Sequence, residues 1–213
     1  MALENSDKIA LAALLLTIPG YVLYVSESIQ GSDVVSLATP IVDFRSISKT
    51  DKSPTVAIAA VTLYNSGDER FNEVLYKHYL KFNFQEKEVV LTGYYEVNLN
   101  HTERNWIPAK NPVLPFNLKG EGSYSKQLAF YPVDLICDIN DKCTLTNNKV
   151  AWGEFKSYLA EKMPKILIQI ESHDLSGGVH VSRCSFSVDS EDAEKLLVKS
   201  KMRAQFNCWP EKA

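Results

Sequence analysis

The sequence predicts a mainly β (α+β) fold: an antiparallel β-sandwich carrying two helices towards its C-terminal end, preceded by one transmembrane helix. Three observations predict it. Several segments alternate apolar and polar residues with the period of a half-buried strand. Two later segments change to helical spacing. One uncharged run, Ile9 to Val25, stands ahead of both.

That run reads IALAALLLTIPGYVLYV. It lies at the lower edge of the ~17–25 residues that cross a bilayer. Rising about 1.5 Å per residue, it makes a helix of roughly 26 Å, slightly short of a ~30 Å hydrocarbon core. Tyr21 and Tyr24 lie near its outer end, where amphipathic rings suit the interface. Pro19-Gly20 is tolerated inside a membrane segment. We read the run as a signal anchor. A cleaved signal peptide is one alternative, against which stand the length of the run and the poor cleavage sequence Ser26-Glu27-Ser28. A buried core helix is another, and a helix apolar all round has few places in a small domain.

The chain then divides into a short cytoplasmic tail (1–8), the anchor (9–25), a polar spacer (26–33) and an extracytoplasmic β-rich domain (34–213). Lys8 precedes the anchor, whereas Glu27, Asp33 and Asp43 follow it with only Arg45. Positive charge marks the short side as cytoplasmic. The expected location is therefore a single-pass membrane protein with its C-terminal domain periplasmic or extracellular. Asn100-His101-Thr102 is a glycosylation sequon, of weight only in a eukaryotic secretory route.

Charged residues are 23% and apolar residues 45% of the chain, as in a globular domain with its own core. The formal net charge of −3 supplies no basic footprint for nucleic acid. No polybasic run flanks the anchor, so anionic lipid recognition has no support.

Val34 to Phe44 reads as a first strand broken at Pro40, and Val56 to Tyr64 as a central strand covered on both faces. From Tyr79 to Gln85, Leu80, Phe82 and Phe84 share one face, with Tyr79, Lys81 and Asn83 on the other. Gln85-Glu86-Lys87-Glu88 leads into a partner strand, Val89 to Leu99, in which Tyr95, Val97 and Leu99 share a face. His101 to Pro115, with Pro108, Pro112 and Pro115, cannot be a regular central strand. Tyr124 to Tyr131 resumes strand character.

Trp152, Phe155, Leu159 and Met163 form a helical stripe, with Asn147 or Asn148 as its expected cap. Ile166, Ile168 and Ile170 alternate as a strand. Ser176-Gly177-Gly178 turns into a second strand, where His180, Ser182, Cys184, Phe186 and Val188 share a face. Asp189 or Ser190 caps a last helix, expected to bury Ala193, Leu196, Leu197, Ser200 and Ala204, with Lys199, Lys201 and Arg203 in its last turn. Strand lengths and turn spacing resemble an immunoglobulin-like sandwich, without the Cys…Trp…Cys pattern that specifies that fold.

The four cysteines suit an oxidising compartment. Local disulfides, Cys137–Cys143 and Cys184–Cys208, are the expected pairing among the three possible. A zinc site needs clustered thiolates, usually as CxxC, and the spacing here is neither that nor an oxidoreductase motif. Asp134, Asp138, Asn140 and Asp141 lack the glycine and terminal glutamate of a calcium loop. His78, His101, His173 and His180 show no metalloprotease spacing. Glu171, His173, Asp174 and Ser176 suggest a triad but lack a nucleophile elbow, so a polar hairpin end is expected. No catalytic, cofactor-binding or metal residue, and no cofactor, is expected. Trp106 is the candidate partner contact; its other reading is a plug over the core.

The expected function is a membrane-anchored extracytoplasmic protein-binding module without catalytic activity. Its partners would be the membrane, through Ile9 to Val25, and another membrane or extracytoplasmic protein, with no nucleic acid. The alternative is an envelope enzyme or small-ligand-binding protein whose site is dispersed in sequence.

Overall fold

The computed structural model describes residues 33–47, 50–68, 70–100, 105–112, 114–132, 135–137, 143–145, 150–198 and 200–211. The expected anchor, Ile9 to Val25, lies outside the described residues. Among those described, no helix is long and apolar enough to cross a membrane.

Strands dominate. They are β1 (Val34–Leu37), β2 (Ile41–Ser46), β3 (Thr55–Asn65), β4 (Glu73–Phe84), β5 (Lys87–Asn100), β6 (Asn105–Pro112), β7 (Phe116–Leu118) and β8 (Ser123–Pro132). After β9 (Leu135–Cys137) and β10 (Cys143–Leu145) come helix α1 (Trp152–Lys162), β11 (Lys165–Asp174), β12 (Val179–Ser187) and helix α2 (Ser190–Leu197). The described chain finishes with β13 (Arg203–Asn207) and β14 (Trp209–Pro210).

The prediction of an antiparallel, mainly β fold with two helices holds. The immunoglobulin-like pair of facing sheets does not describe it. One 12-stranded sheet runs β13-β2-β3-β8-β5-β4-β11-β12-β14, with β1 on β3, β6 on β5 and β7 on β4. The two ends of that order are consecutive in the chain, separated by Cys208 alone. Phe206 stands opposite Val42 on one side, and Trp209 opposite Ser185 on the other. The sheet therefore curls into a nearly closed barrel. Register shifts between Gly93 and Tyr95, Tyr95 and Val97, and His173 and Asp174 sharpen its curvature, because a bulge bends and twists its strand. The Cys184–Cys208 disulfide ties the closing segment to β12, with Cα atoms 5.4 Å apart. Closing that loop is worth roughly 3 kcal/mol by chain-entropy arguments.

Alternation explains the interior. Leu80, Phe82 and Phe84 on β4 are buried, as are Ile166, Ile168 and Ile170 on β11 and Cys184 and Phe186 on β12. Phe44 of β2 lies at the centre, its ring 5.4 Å from Phe82, 4.9 Å from Phe155, 5.9 Å from Phe186 and 6.5 Å from Phe206. Phe186 and Phe206 stack at 4.3 Å across the closing strand. Helix α1 adds Trp152, Phe155 and Leu159 to the same cluster.

Three local expectations are corrected. Asn147 and Asn148 lie outside the described residues, and Ala151 is the N-cap of α1, with no side-chain bond. Carbonyls of Asp51 and Ser53 accept from Gly153 N and Trp152 N instead, each at 2.8 Å. Met163 is not part of the buried stripe: it is half exposed, as the left-handed C-cap. The last helix stops at Leu197 because Val198 is extended, so Arg203 and Ala204 belong to β13. Asp189 caps this helix as expected, accepting from Asp192 N at 2.8 Å. Leu196 is buried, but Leu197 is 64% exposed.

Leu196→Ala removes a core side chain and should cost about 2–5 kcal/mol, whereas Leu197→Ala should change stability by less than about 0.5 kcal/mol; urea midpoints check both. The β4–β5 hairpin turns through Gln85 and Glu86 with φ of 48° and 63°. A two-residue loop with both residues left-handed favours Asn-Gly, so the double variant Gln85→Asn, Glu86→Gly should gain about 0.5–2 kcal/mol. An unchanged or lower midpoint would show that the native turn carries no such strain.

Candidate functional site

The polar residues of the sequence analysis converge on β4, β11 and β12, because the register sets them side by side. His78 stands opposite Ser172, which stands opposite His180, all on the inner face. Their neighbours in sequence point outward: Lys77 opposite His173 and Tyr79 opposite Glu171.

The inner row holds a buried histidine. His78 Nδ1 lies 2.9 Å from Ser172 Oγ, and both residues are fully buried. His78 Nε2 and the Tyr124 hydroxyl are also buried, with no protein partner among the described residues. Their rings are 5.6 Å apart. The space comes from Gly93, where a Cβ would meet Phe130 Cε1 at 2.9 Å and His78 Cβ at 3.3 Å. Burial, with a smaller contribution from His173, lowers the His78 pKa to about 4. Burial, then the charge of Glu96, raises that of Tyr124.

At the end of the β11–β12 hairpin, Asp174 collects three donors. His180 Nε2 lies 2.8 Å from its Oδ2; Ser176 Oγ donates to Oδ1 at 2.6 Å and Gly178 N at 2.8 Å. Burial pushes the Asp174 pKa up, but the bonds from Ser176, Gly178 and His180 outweigh it, and the net shift is downward. The order of groups decides the chemistry. A nucleophilic triad places the histidine between hydroxyl and carboxylate. Here the carboxylate is in the middle and accepts from Ser176 directly, so His180 does not stand between hydroxyl and carboxylate.

Outside, Glu171 plays the same part. Lys81 Nζ is 2.7 Å from Glu171 Oε1, Gln169 Nε2 donates to that oxygen at 2.7 Å, and His173 Nε2 lies 3.3 Å from Oε2. Burial raises the Glu171 pKa, and these donors bring it down overall. Each carboxylate thus has several donors around it: Asp174 at the turn of the hairpin and Glu171 on the outer face of β11. Among the described residues, no group of His, Cys, Asp and Glu side chains has the arrangement of a metal site.

The other named residues fall elsewhere. Trp106 lies on β6, its backbone opposite Leu99, and its side chain is outside the described residues, as are His101, Asp134, Asp138, Asn140 and Asp141. β9 and β10 form a separate two-stranded ladder that sets Cys143 opposite Cys137 in the backbone register. Cys184 and Cys208 meet at the barrel seam.

Two surface features were missed from the sequence. The first is the seam itself. β14 ends at Pro210, and beyond it β1 faces β12 without a ladder among the described residues. A groove of about 480 Å³ lies there, lined by Ser36, Leu37, Ala38, Val181, Arg183 and Glu211 among others. Leu37 on one side of it and Val181 on the other are exposed, and Val35 and Val179 are exposed further along the same two strands. Arg183 Nε donates to Gln169 Oε1 at 3.0 Å and has no carboxylate partner among the described residues. The second feature is Trp209, 70% exposed. Period-2 alternation from Arg203 to Trp209 marks a strand that would present this indole outward, the one sequence pattern able to reveal it.

No protein-family profile matches the chain, and no curated protein matches it.

The buried imidazole generates a pH prediction. The unfolded chain binds a proton at its ordinary pKa of 6.5, while folded His78 resists it down to about 4. Between these values the unfolded state carries more protons, so stability falls as pH drops. The loss should reach on the order of 3 kcal/mol by pH ~4. The depressed carboxylates Glu171 and Asp174 add losses only below their ordinary values of 4.5 and 3.8. His78→Asn, stepped through urea unfolding across the same window, should flatten the slope; an unchanged slope would assign it to other groups.

Proposed function

We propose that this chain is a membrane-anchored extracytoplasmic protein-binding module without catalytic activity, held through Ile9 to Val25 and docking another membrane or extracytoplasmic protein at the barrel seam. One observation carries the reading. Leu37 and Val181 are exposed on opposite sides of one groove, beside an Arg183 with no carboxylate partner among the described residues. Aliphatic side chains gathered at a groove favour a partner surface, and Arg is a frequent energetic anchor in interfaces. The interior supports the same reading. The rings of Phe44, Phe82, Phe155, Phe186 and Phe206 occupy the space that a small ligand would take in a wider barrel. The titratable clusters are engaged in holding the β11–β12 hairpin.

The test uses the full chain in its native membrane. A photo-crosslinking residue at position 37 or 181 should yield one discrete adduct. Leu37→Asp with Val181→Asp should weaken association with that partner by roughly tenfold or more, about 1.4 kcal/mol per decade. Lys119→Glu, remote in the β7–β8 turn, should leave it intact. Deleting residues 9–25 should release the domain from the membrane fraction. If adducts persist unchanged in the double variant, the seam is not the docking surface.

A further inference from the structure

Beside the seam, and sharing none of its lining residues, lies a groove of about 510 Å³ between the outer faces of β12 and β13 and the start of α2. Its volume is within the range of small-molecule sites, ~300–1,000 Å³. Its lining is the informative part. Trp209 offers an indole that is 70% exposed, so a ring face is open. Around it the groove presents donors and acceptors in mixture. Asn207, Ser187 and Asp192 spend no side-chain hydrogen bond on the protein among the described residues. Gln205 Oε1 accepts from Arg203 at 2.9 Å, which leaves its Nε2 free to donate. Asp189 Oδ1 is taken by the helix cap, and its second oxygen is free. Lys165 Nζ is neutralised by Glu211 at 2.6 Å.

The mixture discriminates between ligand classes. An anion needs donors, and here Lys165 is already paired while Asp189 and Asp192 repel it. A cation needs acceptors, and the amides and Ser187 would present as many donors. An apolar ligand would strip water from these groups without replacing their bonds. A ligand with neighbouring hydroxyls uses donors and acceptors together, since each hydroxyl is both. If it also has an apolar C–H face, it covers the open indole, which pairs an apolar body with a polar tip.

We infer that the Trp209 groove binds a pyranose sugar: its C–H face against the indole, its hydroxyls bonded to Asn207, Gln205, Ser187 and the free oxygens of Asp189 and Asp192. The site goes beyond the docking reading and does not depend on it, because the two grooves have separate linings. The sugar is either a free saccharide or the terminal residue of a glycoprotein.

The experiment follows the tryptophan indole N–H resonances of the full chain in detergent while methyl pyranosides of the gluco, galacto, manno and N-acetylglucosamine series are added singly. The Trp209 signal should shift and saturate with at least one of them. The Trp152 signal should stay put, its Nε1 being donated to Lys201 O at 2.8 Å. Trp209→Ala and, separately, Asn207→Leu should weaken the response by roughly tenfold or more. Trp209→Phe, which keeps a stacking face, should recover part of the affinity, read from backbone amide shifts of Asn207 and Gln205. Both positions are exposed, so an unchanged melting temperature will separate lost binding from lost folding. Saturation by simple glycosides assigns a free saccharide; binding only to a glycopeptide bearing the same sugar assigns a glycoprotein. The inference is overturned if no pyranoside or glycopeptide moves Trp209, or if an arginine peptide moves it and sugars do not. Loss of seam crosslinks with sugar binding retained would sink the docking reading alone.

Discussion

The whole architecture depends on one strand having two neighbours. The segment Arg203 to Pro210 pairs with β2 along its first half and with β12 along its second. Without it the sheet is an open ribbon with two free edges, and free edges invite pairing with other chains. Its inward residues, Ala204, Phe206 and Cys208, bring the closing force. Phe206 stacks on Phe186 and meets Phe44, which in turn touches β4 and α1. Hydrogen bonds set the register, aromatic burial drives closure, and the Cys184–Cys208 bond keeps the seam from fraying. Asp43, buried on β2 between Arg45 and Arg203, adds a polar tie across the same joint.

The closed interior also explains the placement of polar groups. A barrel filled by aromatic rings has no room for a solvated site, so the charged side chains gather at the β11–β12 hairpin and on the outer wall. There Asp174 and Glu171 each bind several donors and act as fixed posts for the hairpin. Gly178 is required because a Cβ at that position would sit 2.3 Å from Asp174 Oδ2. His78 and Tyr124 depart from this: the imidazole is kept neutral in the core with one nitrogen bonded, and its other nitrogen and the Tyr124 hydroxyl have no protein partner among the described residues.

Much of the local structure was legible in the sequence, and the closure was not. Leu80, Phe82 and Phe84, like Ile166, Ile168 and Ile170, announce inward faces because period 2 is a local property. Asp189 announces a helix start for the same reason. Closure joins residues far apart, and no short window encodes that. The segment after Leu197 shows the cost. Lys199, Lys201 and Arg203 match a helix C-terminus and Ala204 falls on helical spacing, so local pattern carries the helix as far as Ala204, into the start of β13. The competing alternation of Ala204, Phe206 and Cys208 was present but short. The α1 cap escaped because backbone carbonyls of a distant loop replaced the side chain that normally signals it. Of the surface features, the seam groove exists only once β1 and β12 approach, while Trp209 becomes meaningful only beside Asn207 and Asp192.

The pairing of the closing strand with β2 sets an order of events in the cell. Arg203 reaches Asp43 across 160 residues of sequence. Strand β2 leaves the ribosome well before the partner strand β13, with which it pairs from Val42 and Phe206 outward. Until then the β2 edge lacks its β13 neighbour, and Phe44 lacks the ring of Phe206. A nascent chain arrested anywhere before Phe206 holds an unfinished barrel with an open strand edge, the condition that exposes a chain to misassociation. An error near Phe206 or Cys208 is therefore felt by β2, 160 residues away in the chain, as much as by its own neighbours.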